Sequence, residues 1–286
     1  MMLITGATGQ MGTLIIQSLL KKIPVDQVAG LARDEDKAAP LKVQGIDIRI
    51  GDYDDSAALE RAMQGVEKVL LIAGTDEHKR VQQHQNVVDA AKKAGVRCIA
   101  YTSRDLKNRD TLVNQLMLGH FQTEDLIKES GLNYIIFRNI LYMDFIAGVV
   151  GENVVETGIH LPAGEGRVAY ALRSELAEAM ARALVDSDWN NRTYHFTGSQ
   201  SYSFADVASA LTQLSGQEVR YTATEKSVFG AQLTGRGVPA FLAERIAGFL
   251  TDIKNGQEDH VSTDLAHFLG RTPASLTEGL KVLFKL

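Results

Sequence analysis

The sequence predicts an α/β fold: a Rossmann-type, doubly wound parallel sheet with a smaller α+β C-terminal lobe. The first observation is that Met2–Thr5, a short β-favouring run, leads directly into a glycine turn and an apolar helical segment. The second is that short apolar runs alternate with helix-length segments, an order typical of parallel strands joined by right-handed crossovers. The third is that most strand runs are apolar throughout, as expected when helices cover both faces of a sheet.

The elements follow in order from this alternation. The predicted strands of the first half are Met2–Thr5, Gln27–Leu31, Asp47–Ile50, Lys68–Ile72, Arg97–Tyr101 and Asn133–Phe137. The helices predicted between them cover residues 10–21, 35–42, 56–63, 80–93 and 116–130. After a cluster of glycines, the predicted helices are 173–185, 203–214, 224–234, 239–253 and 275–284, with short strands at Arg192–Thr197 and Glu218–Tyr221. We therefore expect a dinucleotide-binding Rossmann domain at 1–150 and a smaller substrate-side lobe at 151–286, interleaved with it.

Composition excludes several classes of function. The chain has 286 residues, a net charge of −5 and 45% hydrophobic residues, which is typical of a soluble globular protein and gives no electrostatic case for nucleic acid or an anionic membrane. The single cysteine, Cys98, excludes an internal disulfide and lies in an apolar run, so we expect it to be buried. No apolar run is long enough to span a membrane, and the glycine turn begins too early for a secretory signal. We expect a cytoplasmic monomer or homodimer.

The glycine turn has the context of a phosphate-binding loop. Gly6 allows a sharp turn off the strand, Gly9 leaves room for a pyrophosphate, and Gly12 lets the helix pack closely on the sheet. The helix N-terminus then offers amides and a favourable dipole to the phosphates. The alternative is a glycine-rich βα turn without a ligand. The predicted loop residues are Gly6, Thr8, Gly9, Gln10, Met11 and Gly12.

Further cofactor-binding candidates lie where the other strands end, because ligands of doubly wound sheets bind outside the carboxyl ends of the strands. Arg33 follows the second strand, and its planar guanidinium suits a ribose 2′-phosphate, which predicts NADP(H) in preference to NAD(H). The acidic residues at 34–36 oppose this interpretation, and Arg33 could instead cover an exposed helix surface. The remaining candidates are Asp52, Tyr53, Ala73, Gly74, Thr102, Ser103 and Asn139.

The wording of the loop, TGATGQMG, and its G-x-x-G-x-x-G spacing resemble the NAD(P)-binding loop of atypical short-chain dehydrogenases of the NmrA-like group. Later motifs occur in the expected order: Ala32-Arg33, Gly51-Asp52-Tyr53, Gly65-Val66, Ala94-Gly95-Val96 and Arg138-Asn139-Ile140-Leu141-Tyr142. Together they are most similar to the bacterial NADPH:quinone oxidoreductase and triphenylmethane reductase branch. The resemblance implies that Asp52 accepts a hydrogen bond from the adenine. An N-cap role before helix 56–63 is an equal alternative.

The catalytic pair of typical short-chain dehydrogenases, Tyr-x-x-x-Lys, is absent from segment 117–125. His120 and Glu124 share a helix face at i, i+4 and could act as an acid/base pair, or could belong to a salt-linked helix face. The related branch carries a similar histidine and Thr-Glu pair, and His120 is the candidate catalytic residue. The missing pair disfavours sugar epimerisation and alcohol oxidation, which need a strong general base.

Quinone reduction needs no such base, because hydride adds to an electron-poor ring and the product can take its proton from water. The protein then has to stack an apolar ring on the nicotinamide and exclude water. Tyr142, Met143 and Phe145 are the predicted walls of this pocket, with core packing as the alternative, and Asn139 could bond the nicotinamide side or fix its loop. We expect an NADPH-dependent reductase of quinone-like or extended aromatic acceptors. The rival is a non-catalytic NADP(H) sensor that binds a regulatory partner.

Two other kinds of site find no support in the sequence. His78 and His84 lack a third ligand at suitable spacing, so no metal site is expected. A G-x-S-x-G motif is absent, so serine hydrolysis is not expected either.

Overall fold

The computed structural model describes residues 1–76, 78–186, 188 and 190–286. The described strands are β1 (Met2–Ile4), β2 (Val28–Ala32), β3 (Asp47–Ile50), β4 (Lys68–Leu71), β5 (Cys98–Arg104), β6 (Asn133–Asn139), β7 (Ile159–Leu161), β8 (Arg167–Val168), β9 (Arg192–Phe196), β10 (Tyr202–Ser203) and β11 (Tyr221–Ala223). The described helices are α1 (Gln10–Leu19), α2 (Glu35–Val43), α3 (Ser56–Ala62), α4 (Arg80–Lys93), α5 (Leu118–Glu129), α6 (Asp144–Val150), α7 (Val154–Thr157), α8 (Arg173–Asp186), α9 (Phe204–Ser215), α10 (Lys226–Gly235), α11 (Ala240–Lys254), α12 (Asp264–Leu269) and α13 (Leu276–Phe284). Single 3₁₀ turns cover Val25–Gln27, Arg109–Thr111 and Gln115–Met117.

The main sheet has the predicted doubly wound arrangement. Within the described residues it contains seven strands in the order β3-β2-β1-β4-β5-β6-β9. Strand β1 pairs in parallel with β2 and with β4, and the β2–β3 and β4–β5 pairs are also parallel. The strand order reverses next to β1, and this switch point is where such sheets bind ligands. The predicted Rossmann fold is confirmed, and the loop that follows β1 lies at the switch point.

Apolar strand residues pack against helices on one face of this sheet. A buried cluster joins strand residues Leu3, Leu31, Val69, Leu71 and Ile99 to helix residues Leu59, Val87, Val88 and Ile127. Cys98 is also buried, as predicted, and burial raises the pKa of its thiol to about 11. The thiol is therefore protonated at neutral pH and behaves as a small apolar side chain.

Two strands extend further than their apolar runs predict. Strand β5 continues to Arg104 and β6 continues to Asn139, so Thr102, Ser103 and Asn139 lie within strands instead of after them. Apolarity marks these strands only up to Tyr101 and Phe137. Thr102 and Ser103, which follow in β5, are polar but buried, and their hydroxyl groups form hydrogen bonds with the protein.

The C-terminal half contains short elements that periodicity did not predict. Strands β7, β8 and β10 and helices α6, α7 and α12 have between two and seven residues, too few to establish a hydrophobic period. The strand predicted at Glu218–Tyr221 is found instead at Tyr221–Ala223, where it pairs in parallel with β7. Strand β8 pairs antiparallel with β10. These pairings are made between distant segments and therefore depend on the tertiary structure.

The chain divides into two compact units that are not contiguous in sequence. Unit 1 comprises Met1–Arg104, Gly119–Arg138 and Ser174–Tyr194, and unit 2 comprises Asp105–Leu118, Asn139–Arg173 and His195–Leu286. The limits of these units do not fall at residue 150, where the sequence analysis divided the two interleaved parts. The reason is that strands β5, β6 and β9 lie in unit 1 for most of their length, whereas the segments that follow them lie in unit 2. None of the described helices has the length and apolar character needed to cross a membrane.

Candidate functional site

The glycine loop after β1 has the geometry of an anion-binding turn. Gly6 has a φ of +56°, in the left-handed region that favours glycine, and its carbonyl accepts a hydrogen bond from the Gly9 amide at 3.0 Å. The Ala7 amide donates to the Leu31 carbonyl at 3.1 Å, which ties the loop to β2. Gly9 is the N-cap of α1. The loop therefore brings the chain from the strand to the helix in a defined conformation.

The N-terminus of α1 differs from those of the next two helices in unit 1. Asp34 caps α2 by accepting hydrogen bonds from two backbone amides, and Asp55 caps α3 by accepting one from Ala58. In the described structure, no side chain caps α1 and its first turn contains no acidic residue. The first amides of α1 and its positive dipole end are therefore available to an anion.

Gly9 and Gly12 have different roles. A Cβ added to Gly12 would lie 2.3 Å from the Gly6 oxygen and 3.0 Å from the Ala7 Cα, so Gly12 is required by contact with the loop's own backbone, instead of by the predicted packing on the sheet. A Cβ on Gly9 would approach only the Gly6 oxygen, at 3.2 Å. Thr8 is half-buried, Gln10 is exposed and Met11 is buried.

Arg33 and Asp52 lie next to each other at the ends of β2 and β3. The Arg33 Nη1 atom is 3.6 Å from the Asp52 Oδ2 atom, and the two side chains are 78% and 38% exposed. Asp52 also accepts a hydrogen bond from the Asp54 amide, whereas the N-cap of α3 is Asp55. The N-cap alternative for Asp52 is therefore wrong. Arg33 remains accessible to a ligand.

The acidic residues after Arg33 have partners of their own. Asp34 is held by the amides of Asp36 and Lys37, and these hydrogen bonds lower the pKa of its carboxyl group. Glu35 forms an ion pair with Lys42, which lowers its pKa as well. Both carboxylates therefore stay ionised, but the N-terminus of α2 offsets part of the Asp34 charge and Lys42 offsets part of the Glu35 charge, which weakens the predicted repulsion of a phosphate at Arg33.

Tyr53 holds strand ends together. Its hydroxyl lies in hydrogen-bond contact with the Thr5 hydroxyl and 3.0 Å from the Ile72 carbonyl, and burial raises its pKa. The Thr5 hydroxyl in turn accepts a bond from the Ile72 amide at 2.9 Å. The Tyr53 hydroxyl is therefore occupied by hydrogen bonds within the protein. A ligand could contact only the ring of this residue.

The Ala73-Gly74 segment after β4 is fixed by two buried side chains. The Ala73 amide donates to the Thr102 hydroxyl and the Gly74 amide donates to the Nε2 atom of His84, both at 2.9 Å. Because this nitrogen accepts a bond, the His84 proton lies on Nδ1, which contacts the Thr123 hydroxyl at 2.8 Å. Burial and, secondarily, Arg80 lower the pKa of His84 to about 3. His84, considered in sequence only as a metal ligand, is a neutral positioning residue.

Glu124 belongs to a buried ion pair. It accepts a bond from Ser103 at 2.6 Å and two from the Arg138 guanidinium at 3.0 and 2.7 Å, and Lys128 lies 3.4 Å away. Burial alone would raise the pKa of this carboxyl group, but the bonds from Arg138 and Ser103 outweigh it and hold the pKa below its usual range. The structure therefore supports the salt-linked alternative for Glu124. The Ser103 hydroxyl is committed to this pair.

His120 contacts Tyr101 through its Nδ1 atom, 2.9 Å from the phenol oxygen. The side chain is only 6% exposed. Burial, reinforced by the nearby charges of Arg80 and Arg104, lowers the pKa of His120 well below its usual range. His120 is therefore neutral near pH 7, which makes it a poor donor of a proton from an imidazolium group.

The predicted pocket residues of unit 2 have different environments. Met143 is fully buried and lies against Gly279 of α13, which supports core packing. Tyr142 and Phe145 are half-buried. The Tyr142 ring lies under the Arg173 guanidinium at 5.1 Å, and Phe145 lies 6.4 Å from Phe249. Asn139 is buried, and its carbonyl accepts a bond from the Asp105 amide at 3.0 Å.

Sequence reasoning missed one cluster of polar side chains in unit 2. Asp105 contacts His195 and His260 through its two carboxylate oxygens, at 2.8 and 2.7 Å. Burial would raise the pKa of Asp105, but the bonds from the two histidines keep it below its usual range. These residues are separated by 65 or more positions, so no local spacing could have indicated the cluster.

The doubly wound sheet and the uncapped glycine loop define a Rossmann-type protein with a site for a phosphate-containing ligand. The model of the NmrA-like family matches residues 1–266, and the chain belongs to this family. The resemblance read from the sequence is confirmed.

The chain is similar along its whole length to characterised relatives. It is 36% identical to quinone oxidoreductase 2 of Escherichia coli, with 100% of this chain and 99% of the relative covered. The crystal structure of that NADPH-dependent quinone oxidoreductase with NADPH has a TM-score of 0.94, covering 99% of this chain and 100% of the other. The triphenylmethane reductase of Citrobacter sp., complexed with NADP(H), is 35% identical with a TM-score of 0.93, at coverages of 99% and 100%.

Proposed function

We propose that this protein is an NADPH-dependent reductase that transfers hydride to quinone-like or extended aromatic acceptors without a Tyr-Lys catalytic pair. The observation that carries the proposal is the glycine loop at the switch point of the sheet. The helix that follows it has no side-chain cap among the described residues and no acidic residue in its first turn. The full-length similarity to a quinone oxidoreductase and a triphenylmethane reductase supports the reaction class.

In this proposal the pyrophosphate binds at the loop between Gly6 and Gly12. The space beside Gly9 and the first amides of α1 receive its oxygens. The exposed guanidinium of Arg33 binds the 2′-phosphate, and Asp52 lies close enough to hold that side chain in place. The fixed backbone of Ala73-Gly74 supports the cofactor ribose, with Thr102 and His84 as its anchors.

When bound, NADPH supplies the hydride. The protein has to position an acceptor ring and exclude water, for which the half-buried rings of Tyr142 and Phe145 are suitable walls. A reduced quinone leaves as a weakly basic phenolate that takes its proton from solvent. A neutral, buried His120 and a salt-linked Glu124 are consistent with a reaction that needs no strong acid or base from the protein.

The test is consumption of NADPH by the purified full-length chain with a panel of benzoquinones, naphthoquinones and triphenylmethane dyes. We expect turnover with at least one class, and with NADPH faster than with NADH at equal concentrations. A Gly9→Val variant serves as the control for cofactor binding. If calorimetry shows NADPH binding but no acceptor is reduced, the reductase proposal fails and the non-catalytic NADP(H) sensor replaces it.

A further inference from the structure

Three side chains from distant segments converge within unit 2. Asp105 follows β5, His195 lies in β9 and His260 lies between α11 and α12. The Asp105 Oδ1 atom is 2.8 Å from the His195 Nδ1 atom, and its Oδ2 atom is 2.7 Å from the His260 Nδ1 atom. The two imidazole rings lie 5.0 Å apart, nearly perpendicular to each other. One ligand atom from each residue lies within 4.8 Å of the other two.

We propose that Asp105, His195 and His260 form a binding site for a divalent transition-metal ion, with Zn²⁺ as the best match. Two imidazole nitrogens and one carboxylate oxygen are donors that Zn²⁺, Co²⁺ and Ni²⁺ accept, whereas Mg²⁺ and Ca²⁺ prefer oxygen donors alone. Three protein ligands leave a fourth tetrahedral position for water.

The exposure of the three side chains suits a site that an ion can enter from solvent. The Asp105 carboxylate is 3% exposed, and the His195 and His260 side chains are 31% and 39% exposed. A buried anion at the base of the cluster favours a cation, and the partly exposed rings leave a path for it. The ring exposure also leaves the imidazoles room to move.

Metal binding requires a local rearrangement of the three side chains. Tetrahedral ligands around Zn²⁺ lie roughly 3.3 Å apart, so the two short nitrogen–oxygen contacts have to open by about half an ångström. The ligand atoms now lie within 4.8 Å of one another, so any pair that is further apart than in a tetrahedral site has to close. Each imidazole contacts Asp105 through Nδ1, and because a carboxylate can only accept, this nitrogen carries the proton in the hydrogen bond. To bind through Nδ1, the ring has to release that proton and carry a proton on Nε2 alone, so that the freed lone pair on Nδ1 faces the ion.

Two hydrogen bonds donated by backbone amides hold the segments that carry the proposed ligands. The Asp105 amide donates to the Asn139 carbonyl at 3.0 Å, and the His195 amide donates to an Asp264 carboxylate oxygen at 2.8 Å. Such contacts fix the positions from which the ligands project. A bound ion would join segments around residues 105, 195 and 260, so its expected effect is to stabilise unit 2. This site is independent of the proposed hydride transfer.

The experiment uses the untagged full-length chain after treatment with a chelator. We expect equimolar Zn²⁺ binding by calorimetry, a visible absorption spectrum of tetrahedral Co²⁺ that Zn²⁺ abolishes, and a higher midpoint of thermal unfolding with Zn²⁺. His195→Ala and His260→Ala should each weaken Zn²⁺ binding by about 30-fold or more, since each removes one of three ligands. The matched control is His160→Ala, an exposed histidine bonded to the Thr157 carbonyl, which should bind Zn²⁺ normally.

Zn²⁺ binding to the wild-type chain tests the site even if a ligand variant fails to fold. Absence of equimolar binding to the wild-type chain overturns the proposal, as does Zn²⁺ binding that survives in folded His195→Ala and His260→Ala chains. An equal loss of affinity in His160→Ala also overturns it. The cluster would then be a hydrogen-bonded structural triad.

Discussion

At the scale of single residues, the burial of a candidate side chain and its hydrogen-bond or ion-pair partners determine which role it can have at the site. Arg33 keeps an exposed guanidinium beside Asp52, and it is therefore able to bind a ligand. His120 is neutral and buried against Tyr101, which removes the simplest acid role. Met143 is fully buried and lies against Gly279 of α13, whereas Tyr142 is only half-buried. The residue type suggested the possible roles of each side chain, and its environment in the structure determines which of these roles it can have.

The first prediction concerns cofactor choice. Arg33→Ala should weaken NADPH binding by roughly 1.5–3 kcal/mol because a charge-assisted bond to the 2′-phosphate is lost, and should change NADH binding little. Isothermal titration calorimetry with both cofactors measures the difference. Arg97→Ala is the matched control, since Arg97 is 73% exposed and also lies near an acid, at 3.9 Å from Glu67. Equal losses for NADPH and NADH would show that Arg33 does not bind the 2′-phosphate.

The second prediction separates proton transfer from ring stacking. His120→Ala should lower kcat by about tenfold or less, whereas loss of a general acid costs about 10²–10⁴-fold. Tyr142→Ala should raise the apparent KM for the acceptor, because it removes a wall of the ring pocket. Steady-state kinetics on both variants, after their folding has been checked by thermal unfolding, gives the comparison. A collapse of kcat in His120→Ala together with unchanged kinetics in Tyr142→Ala would contradict this mechanism.

At the scale of elements, the contacts at strand and helix ends determine the site. In the part of the chain that the structure describes, α1 begins at a glycine without a side-chain cap, while α2 and α3 begin at capping aspartates. The buried pair of Glu124 and Arg138 links α5 to β6, and Ser103 adds β5 to the same group. The positions of these elements therefore depend on a few polar contacts in an apolar interior.

Two substitutions in the glycine loop should have different effects. Gly9→Val should abolish NADPH binding and leave the fold largely intact, since the new side chain occupies the space beside the loop. Gly12→Ala should destabilise the protein, because its Cβ would lie 2.3 Å from the Gly6 oxygen. Gly148→Ala, in open space, is the control for a glycine-to-alanine change in a helix. Unchanged NADPH affinity of Gly9→Val by calorimetry would remove the pyrophosphate assignment.

The Glu124 pair should make stability depend on pH. Because the folded protein holds the pKa of Glu124 below 4.5, the pair stabilises the fold above that pH and loses its effect as pH falls through the folded pKa. Glu124→Gln should cost roughly 1–3 kcal/mol at pH 7, and less in acid. Denaturant unfolding at several pH values measures this. The half-exposed Glu178–Arg182 pair provides the control Glu178→Gln, for which we expect about 0.5 kcal/mol or less. A Glu124 effect that stays constant down to acid pH would refute the charge-based explanation.

At the scale of the whole molecule, the two compact units share the chain in alternating segments. Unit 1 is completed only by residues 174–194, which contribute most of α8 and the start of β9. Strand β9 lies beside β6 at the edge of the main sheet. The first 150 residues therefore lack part of the unit to which they contribute most.

Truncation tests this organisation. A fragment of residues 1–150 should not unfold cooperatively. It lacks α8 and β9, so the edge of β6 that pairs with β9 is exposed. Co-expression with residues 151–286 should restore a folded complex. Circular dichroism and thermal unfolding of the fragment and of the co-expressed pair measure this. A 1–150 fragment that unfolds cooperatively would instead show that residues 174–194 are not needed to complete unit 1.

The sequence by itself determined the class of fold and the glycine loop, because apolar periodicity and glycine spacing are local features of the chain. It also identified Arg33, Gly9 and the absent Tyr-Lys pair for the same reason. Only the tertiary structure decided that Asp55 instead of Asp52 caps α3, that Glu124 pairs with Arg138, and that His84 holds Gly74. It alone joined Asp105 to His195 and His260. These outcomes depend on burial and on contacts between distant segments, and the free energy of a polar side chain is set by those surroundings.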